Sequence, residues 1–162
     1  MSFISKHWGK LALLIFLLLW QGLPAFNRWR ADKLVDELCA KDGGIKVYET
    51  VKLPKYQFDK WGNAIVRGKS FMEPSDEYFY EHDSHYYERD KNPEWVKSHR
   101  DQRIEIIRGH SKYYRKHDNK LLGESMRYSR RGGEAIGPWH LSSYACPVDS
   151  KNELNKQIFL KA

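Results

Sequence analysis

An α+β fold is predicted for this 162-residue chain: an N-terminal export or anchor helix, one amphipathic helix packed on a small antiparallel sheet, and a long hairpin at its centre. Three observations predict it. An unbroken apolar run occupies residues 11–20, behind Lys6 and Lys10. Ala31, Leu34, Val35, Leu38 and Cys39 recur at the three-and-four spacing of a helix with one buried face. Two β-patterned runs, 103–117 and 120–131, flank Asp118 and Asn119, residues that tolerate the left-handed backbone of tight turns.

The apolar run, Leu-Ala-Leu-Leu-Ile-Phe-Leu-Leu-Leu-Trp, has the basic start and hydrophobic core of an export signal. Its ten residues fall short of the roughly 20 that a spanning helix needs. Ala25 could be the cleavage position, with Leu23 two residues before it. Uncut, residues 3–26 would form a single-pass anchor. Either way, the predicted location is periplasmic, or anchored in the inner membrane with the domain outside the cytoplasm. The domain organisation is then residues 1–25 as signal peptide or membrane anchor, 26–148 as one α+β domain, and 149–162 as a polar C-terminal tail.

Element by element, Asn27 caps the amphipathic helix over 28–41, and Gly43-Gly44 stops it with Lys41 at the negative end of the dipole. Residues 45–51 alternate as a half-buried strand. Residues 73–90 carry Tyr78, Phe79, His82, Tyr86 and Arg89 at helical spacing, which predicts a second helix ended by Asn92-Pro93. In the hairpin, a two-residue turn at Asp118-Asn119 would oppose Tyr113 to Glu124, Ser111 to Met126 and His110 to Arg127. One face would hold Tyr113, Leu122, Met126 and Tyr128. The other would hold Arg108, His110, Lys112, Tyr114, Arg127 and Arg131. Ile104 and Ile106 fall on that basic face, so a bulge near Gly109 is predicted to return them to the apolar side. After Gly132-Gly133 the chain reads as loop, with a helical turn near 154–159.

Charge is segregated along the chain. Residues 73–94 hold eight acidic and two basic residues, a net −6; residues 100–131 hold ten basic and four acidic, a net +6. Such runs are usually solvated or mutually paired faces, which predicts that the two segments lie side by side. Whole-chain charge is +7, or +5 without Lys6 and Lys10, a modest preference for anionic neighbours. Nucleic acid is disfavoured as a partner, since no recognition module accompanies the charge.

Only two cysteines occur, Cys39 and Cys146. In an exported chain an even count predicts a bridge, here closing a loop of about 107 residues; two buried free thiols are the alternative. The basic hairpin face of Arg108, His110, Lys112, Tyr114, Arg127 and Arg131 is the candidate anion site, because guanidinium groups donate paired hydrogen bonds to phosphates and carboxylates. A solvated face neutralised by the acidic segment is the competing reading. His82 and His85 share a face in the predicted helix, with Glu81, Asp83 and Glu88 nearby, making a weak candidate for a divalent metal without a His-Glu-x-x-His pattern. Ser142 and Ser143 lie near His140, but no nucleophile-elbow sequence surrounds them. No cofactor motif is present, so the chain reads as a non-enzyme.

Two blocks, Leu38-Cys39-Ala40-Lys41-Asp42-Gly43-Gly44-Ile45-Lys46-Val47-Tyr48-Glu49-Thr50-Val51 and the stretch from Leu122-Gly123-Glu124-Ser125 through Arg130-Arg131-Gly132-Gly133 and Pro138-Trp139-His140 to Cys146-Pro147, carry a resemblance. They resemble a family of uncharacterised small envelope proteins, secreted or membrane-anchored, of Gram-negative bacteria. Both cysteines lie in these blocks, which suits the bridge. The resemblance implies an envelope location and brings no activity, cofactor or catalytic residue. The functional expectation is a non-catalytic envelope protein acting through surface contacts, as an accessory subunit of a membrane-associated assembly with a protein partner. The membrane itself is a partner if residues 1–25 are retained. A binding module for an anionic, phosphate-bearing ligand and a metal-dependent enzyme follow as alternatives.

Overall fold

The computed structural model describes residues 3–88, 94–96, 104–134, 142–148 and 150–162. The fold is α+β: a long N-terminal helix and a mixed, mostly antiparallel sheet. Helix α1 runs from Phe3 to Asp42, 40 residues without a break, and contains Pro24. Leu11, Leu14, Phe16, Leu18, Leu19 and Leu23 are all exposed on its first half. From Ala31 onward it becomes amphipathic, with Ala31, Val35 and Cys39 buried at four-residue intervals. The backbone N–H of Gly43 donates to the Cys39 carbonyl at 2.8 Å. A side chain at Gly43 would place its first carbon 2.6 Å from that oxygen, so the helix exit requires glycine.

Strands β1 (Gly44–Val47), β2 (Val51–Leu53), β3 (Arg67–Gly68) and β4 (Tyr78–Glu88) follow. Next come β5 (Glu94–Val96), β6 (Ile104–Arg115), β7 (Lys120–Gly132) and β8 (Ser143–Cys146). Helix α2 (Ser150–Ile158) and β9 (Phe159–Lys161) complete the order. The main sheet runs β1-β7-β6-β4-β3, with β5 added to β4 and β8 to β7. Its pairings are antiparallel except β3 with β4, while β2 and β9 form a separate parallel pair.

The predicted helix over 73–90 is a strand over most of its length. β4 pairs with β6 from Tyr78 opposite Arg115 to Tyr86 opposite Ile107. The aromatic spacing suits both periods, and the long ladder with β6 gives Phe79 and Tyr80 the cross-strand partners Tyr114 and Tyr113, which a solitary helix would lack. Arg89 and Asn92-Pro93 lie outside the described residues.

The hairpin is present with a different turn. Four residues, Lys116 to Asn119, connect Arg115 to its partner Lys120, and Asn119 takes the left-handed conformation at φ 53°. The Asp118 carboxylate accepts from Arg115 Nη2 at 2.9 Å and from the Lys120 N–H at 3.2 Å, closing the longer loop. The loop moves the pairing by two residues and the unpaired Leu122 moves it back by one, so that Ser111 faces Ser125, His110 faces Met126 and Gly109 faces Arg127. The register irregularity lies between Tyr113 and Tyr114, not near Gly109. Ile104 and Ile106 therefore remain on the face of Arg108 and His110. Their burial is solved differently: α1 covers that end of the face.

Two cores sit on opposite faces, at opposite ends of the hairpin. Near the open end, Ile106 and Tyr128 pack on Ala31, Val35 and Cys39 of α1. Near the turn, Tyr113 and Leu122 pack with Leu53, Leu154, Ile158 and Phe159. The segment expected as a polar tail thus supplies core: Leu154 and Ile158 are fully buried, and β9 pairs with β2. Its polar average concealed an amphipathic helix one stripe wide. Asn155 fastens the second core by accepting from the Ala64 N–H at 2.7 Å and donating to the Ala64 carbonyl at 3.1 Å.

Cys39 and Cys146 are joined, with Cα atoms 5.9 Å apart across a sequence separation of 107. The bridge ties α1 to β8 beside the first core.

Replacing both cysteines by serine is expected to lower stability by about 4–5 kcal/mol on the chain-entropy account. Urea unfolding of the detergent-solubilised chain measures this, and an unchanged midpoint would refute it. In the same assay Leu154→Ala should cost about 2–5 kcal/mol, as truncation of a buried leucine does. Leu160→Ala, on the exposed side of β9, should stay within about 0.5 kcal/mol of wild type. Equal losses from the two would remove 150–158 from the core.

Candidate functional site

The one-residue difference in register sorts the predicted basic face into two. Directly opposed residues share a face and alternate along each strand. Arg108, His110 and Lys112 therefore share one face, with Tyr114 at its far end beyond the irregularity. Arg127, opposite Gly109, and Arg131, opposite Glu105, lie on the reverse side. The six predicted residues do not form one surface.

The face that keeps Arg108, His110 and Lys112 is not purely basic. Four strands contribute one row across it: Glu81 opposite Lys112, Lys112 opposite Glu124, and Glu124 opposite Lys46. Signs alternate along the row, the arrangement that stabilises cross-strand neighbours. Lys69 extends it, its Nζ 2.5 Å from Glu81 Oε1. Glu124 also accepts from the Tyr48 hydroxyl at 2.5 Å and meets His110 Nε2 at 2.7 Å. The hydrogen bonds from Tyr48 and His110 hold its carboxyl below the usual range despite partial burial. Asp83 lies opposite His110. The acidic and basic segments thus lie side by side, as their charges predicted. Glu81, Glu124 and Tyr48 were the residues that the sequence reading missed here; the correct hairpin register would have found Glu124.

On the reverse face, His82 leans over Gly109, where a side chain's first carbon would meet its Cε1 at 3.2 Å. Ser111 Oγ lies 2.9 Å from His82 Nδ1, and Ser84 Oγ 3.2 Å from Nε2. His82 and His85, three apart on a strand, point to opposite faces. The metal pair expected on a helix is therefore not assembled, and no group of three metal-ligating side chains occurs among the described residues. Lys151 sits 4.0 Å from the centroid of Tyr80, a cation on an aromatic face supplied by the segment expected to be tail. Ser142 is a structural residue: its N–H donates to Glu134 at 2.7 Å and its hydroxyl accepts from Arg130 at 3.0 Å. His140 lies outside the described residues.

The third surface is where α1 meets the sheet. Arg130 is almost fully buried and its Nε lies 2.6 Å from Asp32 of α1. The Tyr144 hydroxyl donates to Asp36 and the Tyr128 hydroxyl to Asp42, both at 2.7 Å. Burial, reinforced by Asp42, pushes the Tyr128 hydroxyl up to about 12, so it remains a donor at neutral pH. Three acids of α1 thus receive three donors from β7 and β8. Above this contact the apolar half of α1 stands clear, its most apolar window reaching a mean hydropathy of 1.6.

At the hairpin tip, the Arg115 guanidinium holds the Asp118 carboxyl at about 2, below its ordinary 3.8. A lowered acid stabilises the fold above its unfolded value, and that contribution is lost as pH falls through the folded one. Asp118→Asn should therefore lower Tm near neutral pH and converge with wild type near pH 2. Thermal melts across that range check it, and a gap that persists at the acid end would refute it.

No protein-family model, curated protein sequence or solved structure matches this chain.

Proposed function

We propose that the chain is a membrane-anchored envelope protein whose disulfide-bonded domain acts outside the cytoplasm, without catalysis, by contacting a protein partner. The observation that carries this reading is the continuity of α1. Residues 8–26, about 28 Å of helix at 1.5 Å per residue, approach the ~30 Å hydrocarbon thickness of a bilayer. The same helix continues into the first core. The candidate cleavage position, Ala25, lies inside α1 six residues before the buried Ala31, and the retained anchor is the reading put to the test.

Basic residues occur at both ends of the span: Lys6 before it and Lys10 in its first turn, and Arg28, Arg30, Lys33 and Lys41 in residues 27–41. Charge bias alone therefore does not direct the domain outward. The bridge between Cys39 and Cys146 supplies the direction, because disulfides persist in oxidising compartments. The resemblance of the blocks around Cys39 and Cys146 to small envelope proteins of Gram-negative bacteria agrees with that address. A surface function is supported by the well-matched charges of the Glu81–Lys112–Glu124–Lys46 face and by large exposed apolar side chains away from α1, including Tyr56, Trp61 and Phe71.

In membranes from expressing cells, the chain should resist carbonate extraction at its full length. Its thiols should react with maleimide only after reduction. A soluble, shortened product, or thiols alkylated without reductant, would overturn the reading. Cross-linking in intact cells followed by denaturing purification should yield a stoichiometric envelope protein, and capture that Trp61→Ala and Phe71→Ala leave unchanged would place the contact elsewhere.

A further inference from the structure

Leu19, Trp20, Leu23, Pro24 and Asn27 of α1 line a crevice together with Ile104 and Gly133, the residues at the open end of the β6–β7 hairpin. We propose that this crevice holds part of an acyl chain from a bilayer phospholipid, seating the sheet end in the outer edge of the membrane. The inference rests on α1 being a retained anchor and goes beyond it, because an anchor alone requires no contact between lipid and sheet.

Level is the first argument. Leu19 lies seven residues before Phe26, about 10 Å deeper along a helix rising 1.5 Å per residue. Side chains at that level belong to the bilayer in a retained anchor, and Ile104 and Gly133 share a cavity with them. The cations that follow are arranged as at a membrane surface: Arg30 lies 5.9 Å from the Phe26 ring and Lys33 4.4 Å from the Trp29 ring. Aromatic and basic side chains mark the headgroup layer.

Chemistry is the second argument. Five of the seven lining residues carry apolar side chains, and the exposed lining of this half-open crevice is somewhat more apolar than polar. Leu19 and Leu23 keep more than half of their surface exposed among the described residues. The cavity measures about 270 Å³, or about nine waters at ~30 Å³ each. A stretch of hydrocarbon chain matches the size of the crevice and its leucine, proline and isoleucine side chains. Gly133 shapes the wall: with φ at 100°, its backbone packs against Arg28 and Ile104, and an added carbon would fall 2.7 Å and 3.0 Å from them.

The test uses the full chain reconstituted in phosphatidylcholine–phosphatidylglycerol vesicles carrying a phospholipid with a photoactivatable diazirine in its acyl chain. After irradiation, adducts are mapped by proteolysis and mass spectrometry. Labelling is expected on residues 11–18 of α1 and on the peptide containing Ile104, well above the level on the peptide containing the remote, exposed Ile65. Leu23→Trp, at an exposed helix position, should fill the crevice and remove the Ile104 label while leaving the 11–18 label intact. Labelled 11–18 with Ile104 no higher than Ile65, or an Ile104 label indifferent to Leu23→Trp, overturns the crevice proposal alone. Unlabelled 11–18 overturns the anchor reading and this inference with it.

Discussion

Helix α1 joins an apolar half to an amphipathic half in one uninterrupted backbone, and the arrangement of the rest follows from that continuity. Its first half presents leucine, phenylalanine and tryptophan on every side. Its second half presents a single stripe of Ala31, Val35 and Cys39 toward Ile106 and Tyr128. A helix of this kind transmits orientation, because it contains no loop between anchor and core. The disulfide and the Arg130–Asp32 contact then set the angle at which the sheet leaves it. Burying Arg130 is costly unless it is paired and hydrogen-bonded, and here it meets Asp32, Ser142 and the Gly132 carbonyl together. The end of the hairpin that these contacts define is also the end beside the apolar helix.

The sheet resolves a problem of coverage. A single long hairpin offers two faces, and a domain of this size has too few helices to cover both completely. Instead each face is covered over half its length: α1 at the open end of one, and α2 with β2 and β9 at the turn end of the other. The uncovered half of the α1 face carries its charges in alternating rows. Glu49 and Asp118 do the same for Arg115 at the tip, at 2.6 Å and 2.9 Å. Exposed pairs of this kind contribute little to stability. Their effect is to balance charge locally across the face, row by row.

Much of the candidate site was legible locally. The amphipathic stripe through Cys39 follows from three-and-four spacing, and the pairing with Cys146 follows from an even cysteine count behind an export-like segment. The adjacency of acidic and basic segments followed from their opposite charge. Register did not follow. Asp118-Asn119 is compatible with either a two-residue or a four-residue loop, and the choice depends on how Asp118 meets Arg115 and Lys120. The longer loop shifts the pairing by two residues, which keeps the faces. The unpaired Leu122 beyond it shifts the pairing by one, and because side chains alternate that single residue moved Arg127 and Arg131 to the reverse face and brought Glu124 beside His110.

Composition and periodicity by themselves determined the apolar leader, the amphipathic half of α1, the existence of the hairpin and the cysteine pair, since each depends on residues close in sequence or on a simple count. Tertiary structure decided the rest. It made 78–88 a strand, because only the ladder with β6 distinguishes the two periods that its aromatics satisfy. It placed Ile104 and Ile106 under α1 on a face that strict alternation marks as polar. It drew Leu154, Ile158 and Phe159 into the core, because their value lies in the partners Tyr113 and Leu122, far away in the chain. Long-range pairing energy is absent from any local window, and where it exceeds local preference the sequence pattern alone reads the wrong element.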